Sequence, residues 1–312
     1  MSQTALVTGA TGLLGRQVVK AFEAAGYNVV GTGFSRASPP QIRKVDIQNA
    51  DEVSSLFGEV KPSVVVHCAA DRQPDSCTNN PEGARKLNVG ATKSLAEAAQ
   101  SANAFLIYIS TDYVFPGRPG EAPYAANAEP SPTNVYGQTK LDGEAAVLQT
   151  SSNAVVLRVP VLYGSTDPHD NNKESAVNIL MDALQRSQKE KVKMDDYAIR
   201  YPTNTEDVGR VCADIAKLYT QSSGKDLPRV LQFSSEDKMT KHEIVQHFSE
   251  IMGLPLDNME ADKESGKKPG PDGTMRPYDC HLSTQELKNL GIDVSTVNFV
   301  AWWRRKVGAY RH

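Results

Sequence analysis

A glycine-rich turn directly after the first apolar run constrains the fold of this chain more than any other feature. Residues 5–7 predict a short buried strand, and Gly9, Gly12 and Gly15 follow it at three-residue spacing. Leu13 then opens an amphipathic helical pattern. Strand, glycine turn and helix in this order are typical of a dinucleotide site, because glycine lets backbone N–H groups approach a pyrophosphate at the positive end of the helix. The alternative is a tight strand-to-helix turn without a ligand.

Composition excludes several classes of protein. The 312 residues are enough for a large core in one two-lobed unit, and a net charge of −3 gives no general attraction to nucleic acid or anionic membranes. No apolar run approaches membrane-spanning length. The four cysteines show neither a C-x-x-C pair nor metal-ligand spacing. We therefore expect a cytoplasmic protein with reduced thiols, no metal site, and neither nucleic acid nor membrane as a partner.

Further apolar runs predict an α/β fold with a Rossmann-type doubly wound parallel sheet and a smaller C-terminal α/β lobe. Additional strands are predicted at 27–33, 44–47, 63–70, 104–110, 154–160 and 230–234, and one long helix at 81–99. The carboxyl ends of the parallel strands should face the cofactor. We assign 1–164 and about 203–234 to the Rossmann lobe, about 165–202 and 235–297 to the smaller lobe, and 298–312 to a C-terminal tail.

The end of the second predicted strand favours NADP over NAD. An NAD site usually places an acidic residue there, but no Asp or Glu occurs between Glu23 and Asp46. Phe34, Ser35 and Arg36 follow the strand instead. Arginine and serine suit a ribose 2′-phosphate, since they donate charge-assisted hydrogen bonds to its oxygens. The alternative interpretation is a solvated basic loop.

Thr111, Tyr136 and Lys140 form a pattern suited to proton and hydride chemistry. Tyr136 and Lys140 are four residues apart and share one face of a predicted helix, while Thr111 follows the preceding strand. A free tyrosine has a pKa of about 10, and a neighbouring ammonium group lowers it by favouring the phenolate. Tyr136 would then donate a proton to a substrate oxygen held by Thr111. Y-x-x-x-K alone is common, and the alternative is a surface helix with one Tyr and one Lys.

The tail at 298–312 carries both tryptophans of the chain beside three consecutive cations. Tryptophan, tyrosine and arginine are enriched at interface hot spots. Composition alone nevertheless favours a terminal helix that lays its tryptophans on the protein's own surface and turns its cations outward.

These motifs, in this order, resemble those of the extended short-chain dehydrogenase/reductase family. The resemblance rests on TGATGLLG, SVVVHCAA, STDYVF and the Y-x-x-x-K pair. Two branches of that family are similar to this chain: the NADPH-dependent dTDP-4-dehydrorhamnose reductases and the regulatory (beta) subunits of methionine adenosyltransferase. Four further segments favour the second branch: GFSRA, HCAADRQPD, RYPT and MTKHE.

Resemblance to the second branch implies an NADP(H)-binding regulatory subunit. Such a subunit forms a hetero-oligomer with the catalytic subunit of methionine adenosyltransferase and modulates S-adenosylmethionine synthesis; its retained triad leaves catalysis open. One alternative is an NADPH-dependent reductase of a nucleotide-linked 4-keto sugar, in which Thr111, Tyr136 and Lys140 are catalytic. Another is a redox-sensing NADP-binding protein with a different partner.

The resemblance also assigns residues to the cofactor and the partner. The implied cofactor contacts are Gly9, Thr11, Gly12, Leu13, Leu14, Gly15, Phe34, Ser35, Arg36, Asp46, Ile47, Cys68, Ala69, Ala70, Arg72, Tyr136, Lys140 and Leu162. The implied partner contacts lie in the tail, at Trp302, Trp303, Arg304, Arg305, Tyr310 and His312. This second implication opposes the preference from composition for a self-packed helix.

Overall fold

A computed structural model describes residues 3–166, 172–222, 226–270 and 273–309. The strands in these ranges are β1 (Thr4–Thr8), β2 (Asn28–Gly33), β3 (Ile42–Lys44), β4 (Val64–His67), β5 (Phe105–Thr111), β6 (Ala154–Val159), β7 (Leu162–Tyr163), β8 (Val192–Asp195), β9 (Thr203–Asn204), β10 (Val230–Gln232) and β11 (Met259–Asp262). The α-helices are α1 (Leu13–Ala24), α2 (Ala50–Val60), α3 (Pro74–Asn79), α4 (Pro81–Arg85), α5 (Thr92–Ser101), α6 (Val135–Thr150), α7 (Ile179–Ser187), α8 (Thr205–Gln221), α9 (Lys241–Met252), α10 (Gln285–Asn289) and α11 (Phe299–Lys306).

Seven strands form one parallel sheet in the order β10-β6-β5-β4-β1-β2-β3. Leu6 of β1 lies beside Val30 on one side and Val65 on the other. The order reverses direction between β1 and β4, which opens a crevice at the carboxyl ends of these two strands. This topology confirms the predicted Rossmann-type doubly wound sheet.

Both faces of the sheet are covered by helices. On one face Val18 and Phe22 of α1 and Val208 and Ile215 of α8 are buried in one apolar cluster with the sheet. The opposite face buries side chains of α2, α5 and α6. Because helices cover both faces of the sheet, the central strands carry runs of apolar residues instead of alternating apolar and polar ones. Strands β4 and β5 are buried along their whole length.

A smaller hydrophobic core lies beyond the sheet. The parallel pair β8–β11 contributes Met194 and Met259, and α9 contributes Phe248. Phe299 and both tryptophans of α11 complete this core. The smaller lobe is therefore built around α7, α9, α11 and the β8–β11 pair. The lobe boundaries assigned from the sequence remain a prediction.

The third predicted strand and the long predicted helix differ most from the observed elements. The third strand lies at Ile42–Lys44 rather than 44–47, since pairing with β2 ends where the Val45 N–H donates to the Gly33 carbonyl (3.0 Å). The helix predicted at 81–99 is interrupted by a wider π-helical turn at Lys86–Ala91. That turn carries Asn88, whose side chain bonds both the N–H and the carbonyl of Asp71 at 2.8 and 2.9 Å. Such turns often occur at functional sites.

Candidate functional site

The three glycines between β1 and α1 are required by close backbone contacts. Gly9 has φ +66°, and a Cβ there would lie 2.8 Å from the Ala69 nitrogen. A Cβ on Gly15 would lie 2.1 Å from the Gly9 carbonyl oxygen. Gly12 is the N-cap of α1 and supplies no side chain to cap the helix. The first N–H groups of α1 are thus open to an anion, which fits the pyrophosphate of a dinucleotide.

This turn forms part of the wall of a cavity of about 810 Å³. The volume is in the range of cofactor and ligand pockets. Every residue assigned to the cofactor from the sequence lines it: Gly9, Thr11, Gly12, Leu13, Leu14, Gly15, Phe34, Ser35, Arg36, Asp46, Ile47, Cys68, Ala69, Ala70, Arg72, Tyr136, Lys140 and Leu162. The structure brings this set together, while its contact with a cofactor remains a prediction.

Arg36 lies on the cavity wall beyond β2, but its guanidinium is engaged by an acid from a distant segment. Its Nη1 donates to Oε1 of Glu174 at 2.8 Å. The same carboxylate accepts bonds from Arg16 at 3.0 and 2.5 Å. Burial raises the pKa of Glu174, but the hydrogen bonds from the two arginines outweigh burial and lower it. Sequence reasoning assigned no role to Arg16 or Glu174, because nothing along the chain indicates their contact.

The predicted triad is assembled at the carboxyl end of β5. Thr111 ends that strand, Tyr136 and Lys140 lie in the first turns of α6, and all three line the cavity. Lys140 Nζ donates to the Ile109 carbonyl at 2.7 Å and lies 4.1 Å from the centroid of the Tyr108 ring. Burial lowers the pKa of Lys140 to about 7.

The electrostatics of Tyr136 differ from the sequence expectation. Burial raises the pKa of Tyr136, and a hydrogen bond with Thr111 opposes that rise. The expected lowering of this pKa by Lys140 is wrong for this arrangement, because the ammonium group is itself desolvated and bonds the Ile109 carbonyl.

Helix α6 is fixed to the sheet by a buried ion pair. Arg158 of β6 donates to both carboxylate oxygens of Glu144, at 2.9 and 2.7 Å, and Ser110 donates to the same carboxylate at 2.5 Å. Both charged side chains are at least 95% buried. Satisfied buried networks of this kind hold one conformation, so they fix α6 and with it Tyr136 and Lys140.

The smaller lobe contributes cavity residues to which sequence reasoning assigned no role. Four of these residues are Arg200, Lys241, Ile244 and Arg276. Arg200 belongs to the RYPT segment and Lys241 to MTKHE, and folding brings both residues to the cavity. Asp112, next to Thr111, also lines it, and burial raises the pKa of its carboxyl to about 6.

The predicted partner residues of the tail divide into two groups. Trp302 and Trp303 are buried in the core of the smaller lobe, at 6% and 1% exposure, and contact Tyr163 and Phe299. Their assignment as partner contacts is therefore corrected: the rings stabilise this lobe, as composition alone had favoured. Arg304 is half-buried and Arg305 is exposed. Tyr310 and His312 lie outside the described residues.

The described residues contain neither a candidate membrane span nor a candidate metal cluster. No helix in the described ranges is both long and apolar enough to cross a membrane. In the same ranges no group of three or more His, Cys, Asp or Glu side chains is arranged to hold a metal ion.

Comparison with known proteins places the chain among close relatives. Residues 3–309 match the family model described as the RmlD substrate binding domain. The chain is 40% identical over 295 residues to methionine adenosyltransferase 2 subunit beta of Rattus norvegicus, which covers 95% of this chain and 84% of the relative. The corresponding protein of Danio rerio is 38% identical over 307 residues, covering 98% and 91%.

A solved structure shares the fold along the whole chain. The dTDP-4-dehydrorhamnose reductase of Bacillus anthracis in complex with NADP superposes with a TM-score of 0.79. It covers 98% of each chain at 22% identity, so the likeness concerns the fold alone.

Proposed function

This chain belongs to the RmlD substrate binding domain family and, within it, to the group of methionine adenosyltransferase 2 beta subunits, and we propose that it is an NADP-binding regulatory subunit of methionine adenosyltransferase. It binds the catalytic subunit of that enzyme and modulates S-adenosylmethionine synthesis. The observation that carries the proposal is 40% identity to a named beta subunit over 95% of this chain. The pocket described above supports it.

The cofactor in this proposal is NADP(H). The open start of α1 and the close backbone contacts at Gly9 and Gly15 fit a pyrophosphate. Arg36 is the cavity cation nearest in sequence to the end of β2, and it is suited to a 2′-phosphate. When bound, the nicotinamide supplies hydride chemistry; as a ligand of the native state alone, the cofactor also raises stability.

The partner surface proposed here is the outer face of α11. Arg305 is exposed there and Arg304 is half-buried, and Asn298 caps the helix by accepting a bond from the Ala301 N–H at 2.9 Å. Cations on a helix held rigidly by its buried face suit an acidic surface on the catalytic subunit.

Calorimetric titration of the NADP-loaded chain into the catalytic methionine adenosyltransferase of the same organism tests this function. We expect tight binding that Arg304→Glu and Arg305→Glu together weaken at least tenfold. Truncation before Asn298 is a poor test, because it removes Phe299, Trp302 and Trp303 from the core. Absence of binding by the wild-type chain would remove the regulatory function. Binding unaffected by charge reversal would keep the partner and place the interface elsewhere.

A second candidate function is reduction of a nucleotide-linked 4-keto sugar with NADPH. The observation that favours it is the convergence of Thr111, Tyr136 and Lys140 on one cavity. NADPH oxidation with such sugar nucleotides tests it. Under this function Tyr136→Phe abolishes turnover, whereas under the regulatory function the variant still binds the catalytic subunit. Turnover that survives Tyr136→Phe would exclude this side chain as the acid.

A further inference from the structure

Arg16, in the first turn of α1, joins two parts of the cavity wall without lining the cavity itself. Its Nη1 donates to the Thr11 carbonyl, within the glycine-rich turn, at 2.5 Å. Its Nη1 and Nη2 also donate to Oε1 and Oε2 of Glu174, at 3.0 and 2.5 Å, and Nη2 donates to the Ser165 carbonyl at 3.2 Å. Thr11 and Glu174 line the cavity, whereas Arg16 does not. The guanidinium therefore ties the glycine-rich turn to a segment 158 residues further along the chain.

That segment, residues 172–178, is attached to the cavity wall at a second point. The Ser175 hydroxyl donates to the Leu162 carbonyl of β7 at 2.8 Å, and it accepts a bond from the Asn178 N–H at 3.1 Å. Ser175 and Asn178 are each 2% exposed, so this attachment is buried. The segment therefore connects the end of the sheet at β7 with the start of α1, where Glu174 is held.

Both attachment points adjoin residues that we assign to the cofactor. Leu162 is one of these residues, and Arg36 is another, whose Nη1 donates to Oε1 of Glu174 at 2.8 Å. Between the two points the segment lines the cavity through residues 173–177. A cofactor in contact with both Leu162 and Arg36 would therefore lie along residues 172–178.

The contact between Arg16 and Glu174 is the stronger of the two attachments. The side chains are 18% and 6% exposed, and two parallel bonds join the guanidinium to the carboxylate. Such bidentate pairs are among the strongest side-chain contacts, and burial protects them from screening by salt. A 2′-phosphate at Arg36 would compete with Glu174 for that guanidinium. Arg16 is then the partner that retains the carboxylate while the cofactor is bound.

We propose that Arg16 is a positioning residue that, through Glu174, holds residues 172–178 against bound NADP(H) and so controls how fast the cofactor enters and leaves. The inference rests on the NADP(H) site of the proposed function and adds control of cofactor exchange to it. The ion pair must open for the segment to move away from α1, both on entry and on release. Slow release keeps NADP(H) on the chain as a lasting part of the native structure, as suits a regulatory subunit.

Stopped-flow fluorescence of NADPH on the full chain tests the proposal, with release followed by displacement with excess NADP. We expect Arg16→Gln to raise the rate constants of association and of release, each by about tenfold, and to change their ratio, the Kd, much less. A residue that only stabilised the cavity wall would not speed association when it is lost. Arg186→Gln is the matched control, because Arg186 is an exposed arginine that pairs with Glu190 at 3.2 Å and does not line the cavity.

Arg16→Lys keeps the charge but loses the two parallel bonds, so it should raise both rate constants by a smaller factor than Arg16→Gln. If the Arg16 variants do not fold, Glu174→Gln takes their place with NADH, which has no 2′-phosphate for the carboxylate to repel, and both rate constants should again rise.

Two results would overturn the proposal: rate constants equal to those of the wild type, or faster release without faster association. A wild-type chain that binds no NADPH would overturn the cofactor site as well as this inference. The rates are measured without methionine adenosyltransferase, so failure to bind that partner leaves the test intact.

Discussion

At the scale of single residues, the clearest question is what Arg36 recognises. Its guanidinium lies on the cavity wall and already holds a carboxylate oxygen of Glu174. A guanidinium carries five N–H donors in a planar fork that matches both carboxylate and phosphate groups. The 2′-phosphate is the group that distinguishes NADPH from NADH.

We predict that Arg36→Ala weakens NADPH binding by about 30-fold, or ~2 kcal/mol, because it removes charge-assisted bonds to the 2′-phosphate. NADH binding should change by less than about threefold. Fluorescence titration of both cofactors measures this. Arg43→Ala is the control, since Arg43 is a partly exposed arginine that pairs with Glu59 and does not line the cavity. Equal loss for both cofactors would show that Arg36 does not recognise the 2′-phosphate.

His67 gives the molecule a pH dependence. Its ring is buried between Thr8 and Thr92, with Nδ1 2.7 Å and Nε2 3.0 Å from their hydroxyl oxygens. Burial and the charge of Lys140 lower the pKa of His67 to about 3. Below about pH 6.5, the ordinary pKa of histidine, this ring binds a proton in the unfolded chain. In the native state it stays unprotonated until the pH falls to about 3, so acid favours the unfolded chain. Stability contributed by this residue is present above about pH 6.5 and is lost as pH falls toward 3.

We predict that the free energy of unfolding falls by on the order of 3 kcal/mol between pH 6.5 and 4 through His67 alone. His67→Gln should be less stable at pH 7 but should lose less stability on acidification. Urea denaturation at several pH values measures both slopes. Asn88→Ala, a buried change in a side chain that does not titrate, should lower stability without altering the slope. Parallel slopes for wild type and His67→Gln would contradict the prediction.

At the scale of elements, the two faces of α11 have different roles. The inner face stabilises the smaller lobe, and the outer face is the surface proposed to bind the partner. Its inner face packs Phe299 and two tryptophans against Tyr163 and α9, while its outer face carries the cations. The positive charges lie in the last turn, where they also complement the helix dipole. A substitution on the inner face should therefore alter the stability of the fold, and one on the outer face should alter partner binding.

We predict that Trp303→Ala lowers the free energy of unfolding by about 3–5 kcal/mol, as for other large buried aromatic residues. Arg305→Glu should lower it by no more than about 1 kcal/mol, because the side chain is exposed and loses only a screened interaction with the helix dipole. Chemical denaturation of the pair measures the difference. A small cost for Trp303→Ala would mean that α11 is not part of the folded core.

At the scale of the whole molecule, Glu174 links its own segment to the cavity wall formed by α1 and the residues after β2. Its carboxylate accepts bonds from Arg16 of α1 and from Arg36 beyond β2. Its side chain is 6% exposed. A 2′-phosphate bound at Arg36 would face this carboxylate, and two anions at one guanidinium repel each other.

We predict that Glu174→Gln tightens NADPH binding severalfold and leaves NADH binding nearly unchanged, since the amide no longer repels the phosphate. Titration of both cofactors measures the ratio. Glu190→Gln is the control, because Glu190 is an exposed acid paired with Arg186 in the smaller lobe. Weaker NADPH binding in Glu174→Gln would mean instead that the carboxylate orients Arg36 for the cofactor.

Local sequence patterns were sufficient to predict most of the Rossmann sheet and the part of the site formed by the glycine-rich turn, Tyr136 and Lys140. Three sequence patterns reflect contacts between residues that are close along the chain or lie across one strand-to-helix turn. They are the glycine spacing, the apolar runs and the Tyr136–Lys140 spacing. Backbone sterics and side-chain periodicity act over that range. The capping box formed by Thr240 and Glu243 at the start of α9 is another contact of this short range.

The burial of the tail and the charge pairing in the cavity depend on contacts between residues that are far apart in the sequence. Residues 298–306 and Glu174 illustrate this. Whether a tryptophan faces a partner or its own core depends on an apolar surface contributed by α7, α9 and Tyr163, none of which is near it in sequence. The pairing of Glu174 with Arg16 spans 158 residues, and Arg200, from another distant segment, lines the same cavity. Sequence alone determined the fold class and the dinucleotide-type turn; packing between distant segments determined the charge distribution of the cavity and the burial of the tail.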